Sequence, residues 1–265
     1  MEFRDIIFQV EHGVGWLTLN NPERLNALSW GSWAEIEQAI AMAEDDDDCK
    51  VVVITGAGRG FCAGTNLMGQ GEESSWPERP LKGREQKMRS RYLATAQIYH
   101  CRKPTIAAVN GACVGAGFSL AMACDIRIAS EAARFSAIFV KRAIVADTGC
   151  TWFLPRLVGI ENALKMMYTG RIVPADEALA MGLVSEVVSA EELAPRAAAL
   201  AREIADGPSV AIELMKRLTQ EGLTRGLDEQ IQLEEYLQQI TRNTEDVVEG
   251  RNSFLEKREP VFRGR

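Results

Sequence analysis

Thr105-Ile106-Ala107-Ala108-Val109-Asn110-Gly111-Ala112-Cys113-Val114-Gly115-Ala116-Gly117-Phe118 is the stretch on which the fold turns. Its first part is a short apolar run between Pro104 and Asn110-Gly111, which reads as a strand buried on both faces. Gly111 to Gly117 are small and read as a flexible turn, Phe118 to Ala123 as a helix, and Asp125 to Ala129 as another buried strand. The same strand-then-glycine order occurs upstream, where Val51-Val52-Val53-Ile54-Thr55 runs into Gly56-Ala57-Gly58-Arg59-Gly60. Strands alternating with helices through roughly the first 190 residues predict an α/β architecture.

Working toward the N-terminus, Ile6 to Glu11 and Val14 to Leu19 flank His12-Gly13 and predict a β-hairpin. An amphipathic helix follows, with Trp33, Ile36, Ile40 and Ala43 on one face and Ser32 with Glu35 as a candidate capping box. The acidic run Glu44 to Asp48 opposes the helix dipole, so the helix is expected to end before it. Met68 to Gly83 has the composition of a long loop and suggests a lid. From Ala194 onward the pattern is helical only. One helix starts at Pro208-Ser209 with Ile212, Met215 and Leu218 inward, and another at Asp228 carries Ile231, Leu233, Leu237 and Ile240. The chain is thus divided into a core over residues 1–193 and a helical region over 194–265.

Composition narrows the function. The 265 residues include 37 acidic and 30 basic ones, and no Lys/Arg stripe carries interleaved aromatics, so nucleic acid is not the expected partner. No apolar run reaches the length of a membrane span, and Met1 to Asp5 do not open a signal peptide; a cytoplasmic location is expected. Cys49, Cys62, Cys101, Cys113, Cys124 and Cys150 form no CxxC pair, and neither His12 nor His100 completes a metal-ligand spacing. They read as reduced core cysteines, with no metal site.

Three segments carry chemistry. Arg59-Gly60-Phe61-Cys62-Ala63-Gly64-Thr65-Asn66-Leu67 and Asn110 to Gly117 are glycine turns that each follow a buried strand. Glycine lets a ligand approach backbone amides closely, and a helix start adds unpaired N–H donors. Two such turns facing each other would hold an oxyanion or enolate. Most glycine turns after strands are only turns, however, and the dinucleotide pattern fails at Phe61 and again at Leu120. The third segment is Ala146-Asp147-Thr148-Gly149-Cys150-Thr151-Trp152, after the apolar run Ala143 to Val145. Asp147 is a candidate general base, or else the N-cap of the helix that follows, and taken alone the cap is the plainer reading.

Taken together, these segments resemble the crotonase (enoyl-CoA hydratase/isomerase) superfamily. The likeness runs through Asn21-Pro22-Glu23-Arg24-Leu25-Asn26-Ala27-Leu28, Gly60 to Leu67, Lys103-Pro104, Asn110-Gly111 and Gly115-Ala116-Gly117. It continues through Ala123-Cys124-Asp125-Ile126, Leu154-Pro155-Arg156-Leu157-Val158-Gly159, Ala178 to Val184 and Phe254-Leu255-Glu256-Lys257-Arg258. The resemblance implies a ββα spiral core, a helical C-terminal region for oligomerisation, and homotrimers or homohexamers. It implies an acyl-CoA thioester substrate whose carbonyl sits between the Thr65 and Ala116 amides. The coenzyme A moiety, part of the substrate and not a separate cofactor, would lie along Arg24, Ala27, Ala63, Thr65 and Leu67. Phe254 and Lys257 would complete its pocket from a neighbouring subunit.

Departures from the family pattern select among reactions. The positions of the two hydratase glutamates hold Ser119 and Phe139, so water addition by two carboxylates is in doubt. Asp147 matches a position that isomerases of the superfamily use as acid/base. Its segment resembles the Pro-Asp-Ser-Gly-Gly-Thr-Trp motif of 1,2-epoxyphenylacetyl-CoA isomerases, with Ala146, Thr148 and Cys150 as changes. The implied activity is isomerisation of an enoyl or ring-epoxide acyl-CoA, with a hydratase as the alternative. A non-catalytic acyl-CoA-binding protein is the alternative from another class. Covalent catalysis by Asp147 is weaker, because it needs a histidine where neither His12 nor His100 aligns. Trp76, Tyr92, Phe118, Phe139 and Trp152 are the aromatic candidates for an acyl pocket.

Overall fold

The protein is described by a computed structural model over residues 3–66 and 94–265. Leu67, the proposed 68–83 lid, Trp76 and Tyr92 lie outside the described residues. The N-terminal hairpin is present as read: β1 (Ile6–Glu11) and β2 (Val14–Leu19) pair antiparallel from Ile6↔Leu19 to Glu11↔Val14. His12 and Gly13 both take positive φ, +51° and +82°, as a two-residue hairpin turn with right-handed strands requires.

From β2 the sheet grows by parallel pairing through β3 (Val51–Gly56), β5 (Thr105–Val109), β7 (Ile126–Ser130) and β10 (Glu186–Val188). A second sheet has the order β4 (Gly60–Cys62), β6 (Ala112–Val114), β8 (Arg134–Ser136) and β9 (Val173–Pro174). Three times the chain gives one strand to the large sheet and the next to the small one: β3 then β4, β5 then β6, β7 then β8. This is the expected ββα spiral. It corrects the reading of Gly111 to Gly117 as a flexible turn throughout, because Ala112–Val114 is a strand held between β4 and β8.

Apolar patterning explains the core. All five residues of β5 are buried, as are Val51, Val52, Val53 and Ile54. Helix α1 (Trp30–Asp45) buries Trp33, Ile36, Ile40 and Ala43 as its periodicity predicts, each large side chain contributing about 2 kcal/mol by leaving water. Its cap differs from the expectation. Ser29, not Ser32 with Glu35, is the N-cap: Ser29 Oγ accepts from Ser32 N–H and Ser32 Oγ accepts from Ser29 N–H. Glu35 instead accepts the Arg4 and Asp5 amides. The helix also continues into the acidic run, because Lys103 donates from Nζ to the carbonyls of Ala43 and Asp46, both at 2.5 Å. A buried cation thereby answers the unsatisfied C-terminal carbonyls that the acids alone would aggravate.

Helix α2 (Ala116–Ala123) is buried at every position. It is followed by α3 (Cys150–Val158), α4 (Ile160–Thr169), α5 (Ala175–Ala180) and α6 (Leu193–Ala205). The last of these sets Leu193, Ala197 and Ala201 against Val51, Val53 and Ile106 of the large sheet. The remaining helices, α7 (Ser209–Gly222), α8 (Leu227–Arg242) and α9 (Glu245–Glu256), behave otherwise. Of the residues expected inward, Leu237 is buried, Ile212, Leu218 and Leu233 are half-buried, and Met215, Ile231 and Ile240 are exposed. Among the described residues nothing covers these last three, so the inward assignment is corrected for them.

Candidate active site

The site is assembled where the large sheet hands its chain to the small one. Asn26 is 2% exposed, and its side chain joins two segments: Oδ1 accepts the Asn21 N–H while Nδ2 donates to the carbonyls of Ala57 and Gly60. Asn110 donates from Nδ2 to the carbonyls of Gly56, Gly58 and Gly60 at 2.8, 2.8 and 3.2 Å. The Gly56–Gly60 turn therefore aims carbonyls at two asparagines and is not an amide cradle for a phosphate. Sequence reading missed the work of both side chains; an asparagine following each of two strand-to-turn segments is the signal that marks them.

Past β4 the backbone is bound to the Pro22–Arg24 turn and its successor. The Ala63 N–H donates to Leu25 O, Leu28 N–H to Gly64 O and Asn66 N–H to Leu28 O. The resulting parallel bridge pairs Leu28 with Thr65. Because neighbouring strand residues point their amides to opposite sides, Thr65 N–H faces away from Leu28. The Gly64 N–H is taken by Cys62 Sγ at 3.4 Å.

The second turn lies directly against the first. A Cβ on Gly64 (φ +92°) would come 2.9 Å from Val114 O and 3.5 Å from Ala116 N. One on Gly117 would come 2.5 Å from the Cβ, carbonyl and Sγ of Cys62. Only glycine permits this approach. Gly115 caps α2 and spends its own N–H on Ser136 O, so Ala116 is the first residue of the helix, where amides have no intrahelical acceptor. Burial pushes the Cys62 thiol up to about 12 and raises Cys113 well above its ordinary value, so both turns rest on a dry floor.

Asp147 stands over the same helix. Ser119, fully buried on α2 one turn beyond Ala116, donates from Oγ to Asp147 O at 3.4 Å. The Cys150 N–H donates to the same carbonyl at 3.0 Å, and Thr148 Oγ1 donates to Asp147 Oδ1 at 3.3 Å. The N-cap of α3 is Gly149, so the capping role considered for Asp147 is corrected: its carboxylate meets Thr148, not the helix amides. The apolar run that precedes it is exposed, Ile144 by 53% and Val145 by 83%. Burial, with the Asp147 carboxylate adding to it, holds the Cys150 thiol at about 12.

Beyond Asp147 opens a cleft of about 320 Å³ walled by Thr95, Tyr99, His100, Thr148, Trp152 and Phe153. Tyr99 meets Trp152 edge-on at 5.1 Å and Phe153 at 5.6 Å, and the Arg156 guanidinium covers the outer face of Trp152 at 4.0 Å. Sequence alignment set His100 aside, yet it lines this cleft. Phe118 and Phe139 are core residues.

The predicted binding residues divide. Ala63 and Thr65 are brought beside Leu25 and Leu28 by the bonds just described, and the Ala27 N–H donates to Arg24 O within that same segment. Phe254, 82% exposed, and Lys257 sit at the end of α9, which packs on α8, and do not join that cluster within one chain. Among the described residues, no three His, Cys, Asp or Glu side chains meet as metal ligands would, and no helix is long and apolar enough to cross a membrane.

Comparison with known proteins places this geometry. The enoyl-CoA hydratase/isomerase family profile matches residues 9–265. The chain is 37% identical over 265 residues to the 1,2-epoxyphenylacetyl-CoA isomerase of Escherichia coli, covering 100% of both. It is also 37% identical over 264 residues to the (E)-benzylidenesuccinyl-CoA hydratase of Thauera aromatica, covering 98% of this chain and 99% of that one. The crystal structure of an enoyl-CoA hydratase from Bacillus anthracis superposes with a TM-score of 0.91 at 30% identity, covering 99% of this chain and 100% of that one.

Proposed function

The chain belongs to the enoyl-CoA hydratase/isomerase family, and from that premise we propose that it is an acyl-CoA isomerase using Asp147 as its acid/base. One observation carries the choice. Asp147 lies against Ser119, one helical turn from Ala116, whereas the two hydratase glutamate positions hold Ser119 and Phe139.

In this reading the thioester carbonyl accepts hydrogen bonds from the Thr65 and Ala116 amides. Asp147 takes a proton from the α-carbon of a β,γ-unsaturated acyl group. The C–H electron pair moves into the dienolate, whose oxyanion the two amides hold, and the carboxylic acid returns the proton to the γ-carbon. One carboxylate suffices, since nothing is added or lost, and no cofactor is needed beyond the coenzyme A of the substrate. A ring-epoxide acyl group would use the same acid to assist ring opening. Arg24, Ala27, Ala63 and Thr65 line the coenzyme A path. Phe254 and Lys257 reach it from a neighbouring copy in a homotrimer or homohexamer, whose contacts cover the apolar faces of the 194–265 region. The enzyme acts in the cytoplasm, without nucleic acid or membrane partners.

The test follows a β,γ-unsaturated acyl-CoA in deuterated water, with native protein and Asp147→Asn in parallel. Double-bond migration with deuterium entering the product, lowered about 1000-fold in the variant, is the expected outcome. A hydrated product would establish instead the second reading, favoured by the hydratase name of the Thauera relative, in which Asp147 activates water. A native protein that binds the thioester but converts neither this substrate nor a ring epoxide would be an acyl-CoA-binding protein.

A further inference from the structure

Residue 148 occupies an unfavourable backbone state for its side chain. Thr148 has φ +52°, in the left-handed region that β-branched residues rarely adopt, and is followed by Gly149 at φ +87°. Glycine or asparagine would take that state more readily. The side chain is 1% exposed, so its hydroxyl must find a partner inside the protein, and the partner is Asp147 Oδ1 at 3.3 Å. A Cβ on the next residue, Gly149, would strike the Phe153 ring at 2.6 Å, so residue 149 must be glycine while residue 148 carries a side chain. Asp147 is held at its carbonyl by Ser119 Oγ and the Cys150 N–H.

We propose that Thr148 is a positioning residue for catalysis: held in a left-handed conformation, it donates its hydroxyl to Asp147 Oδ1 and fixes the rotation of that carboxylate toward the reacting carbon. The proposal rests on the acid/base reading of Asp147. Backbone bonds set where the Asp147 side chain begins, and its terminal rotation is decided at the carboxylate. A hydroxyl on one oxygen restricts that rotation, and at 3.3 Å the contact is long enough to shorten when substrate binds. The strained backbone at residue 148 then has a reason, because a side chain of opposite conformational preference is retained for its hydroxyl.

The test compares native protein with Thr148→Val, Thr148→Ser, Thr148→Gly and Asp147→Asn on the β,γ-unsaturated acyl-CoA, reading kcat and KM separately with a thermal melt of each. Thr148→Val, which exchanges the hydroxyl for a methyl group, is expected to lower kcat about 100-fold and change KM by less than about 3-fold. Thr148→Ser should recover most of that kcat. Thr148→Gly suits the positive φ, so it keeps the test decisive if the valine variant does not fold; it should melt no lower than native protein and still lose kcat. A native kcat in the valine or glycine variant, or a serine variant no better than valine, overturns the positioning role. Those results beside an inactive Asp147→Asn would leave the acid/base reading standing. An Asp147→Asn variant with native kcat, or a native protein that does not isomerise the substrate, overturns both.

Discussion

Two glycine-rich turns follow two neighbouring parallel strands, Gly56–Gly60 after β3 and Gly111–Gly117 after β5, and they do opposite things. The first points carbonyls inward, where the amide groups of Asn26 and Asn110 satisfy them. The second passes through β6 and ends in a helix start whose leading amide, Ala116 N–H, faces Gly64. Glycine content is equal to either task. What distinguishes them is the polarity of the groups they present: the first turn offers carbonyls that side-chain donors satisfy, and the second opens a helix whose first amide has no intrahelical acceptor.

This contrast can be broken most severely at Gly117. Gly117→Ala would drive a Cβ within 2.5 Å of Cys62 and push the start of α2 away from the Cys62–Gly64 segment. Turnover of the acyl-CoA substrate should fall more than about 100-fold, with stability down about 1–3 kcal/mol by melting. A variant with native turnover would show that the apposition of the turns is incidental to catalysis.

Substitution of Asn110 sharpens the other side of the comparison. Asn110→Ala removes the donor shared by three carbonyls and should cost about 2 kcal/mol in chemical denaturation. Asn110→Asp, which aims a carboxylate at the same carbonyls, should be worse. Turnover of the folded alanine variant should stay within about 10-fold of native, as a misplacement short of the catalytic groups would predict. A loss of kcat as large as that of Gly117→Ala would mean that both turns serve the reaction.

The smallest expected effect comes from the thiols beneath the turns. Burial raises Cys62, Cys124 and Cys150 to about 12 against an unfolded value of 9.0. The folded chain therefore keeps protons that the unfolded chain loses above pH 9. This stabilisation is complete below pH 9 and lost as pH rises toward 12. By pH 10 each thiol should subtract about 1 kcal/mol from unfolding free energy, and a thiol reagent at pH 8 should label the native protein only as fast as it unfolds. Rapid labelling of Cys62 would show that the floor of the site is open to water.

Much of this was legible in the residues. Continuous apolar runs marked β3 and β5, and the spacing of Trp33, Ile36 and Ile40 marked the buried face of α1. Both glycine turns and Asp147 were identifiable as candidates. What escaped was non-local. The end of α1 depends on Lys103, 60 residues from the Ala43 carbonyl that it binds. Its start was misplaced by one turn because Ser32 completes a box with Ser29, whose own hydroxyl reaches Asp5. Asp147 looked like a cap until the positive φ of Thr148 and Gly149 turned the backbone away. The inward assignment on α7 and α8 held only in part because an apolar stripe in a sequence does not say which of its residues the fold covers.

The asparagine that fastens the first turn has a kinetic consequence. Its three bonds link residues 50 to 54 positions apart, and Ser119 meets Asp147 across 28. No contiguous fragment of the chain contains a rehearsal of the site. Loop closures of this span slow folding of parallel sheets, so on dilution from denaturant helical signal should return first. Catalytic competence then arrives only with the last docking of strands, making turnover a reporter of completed topology.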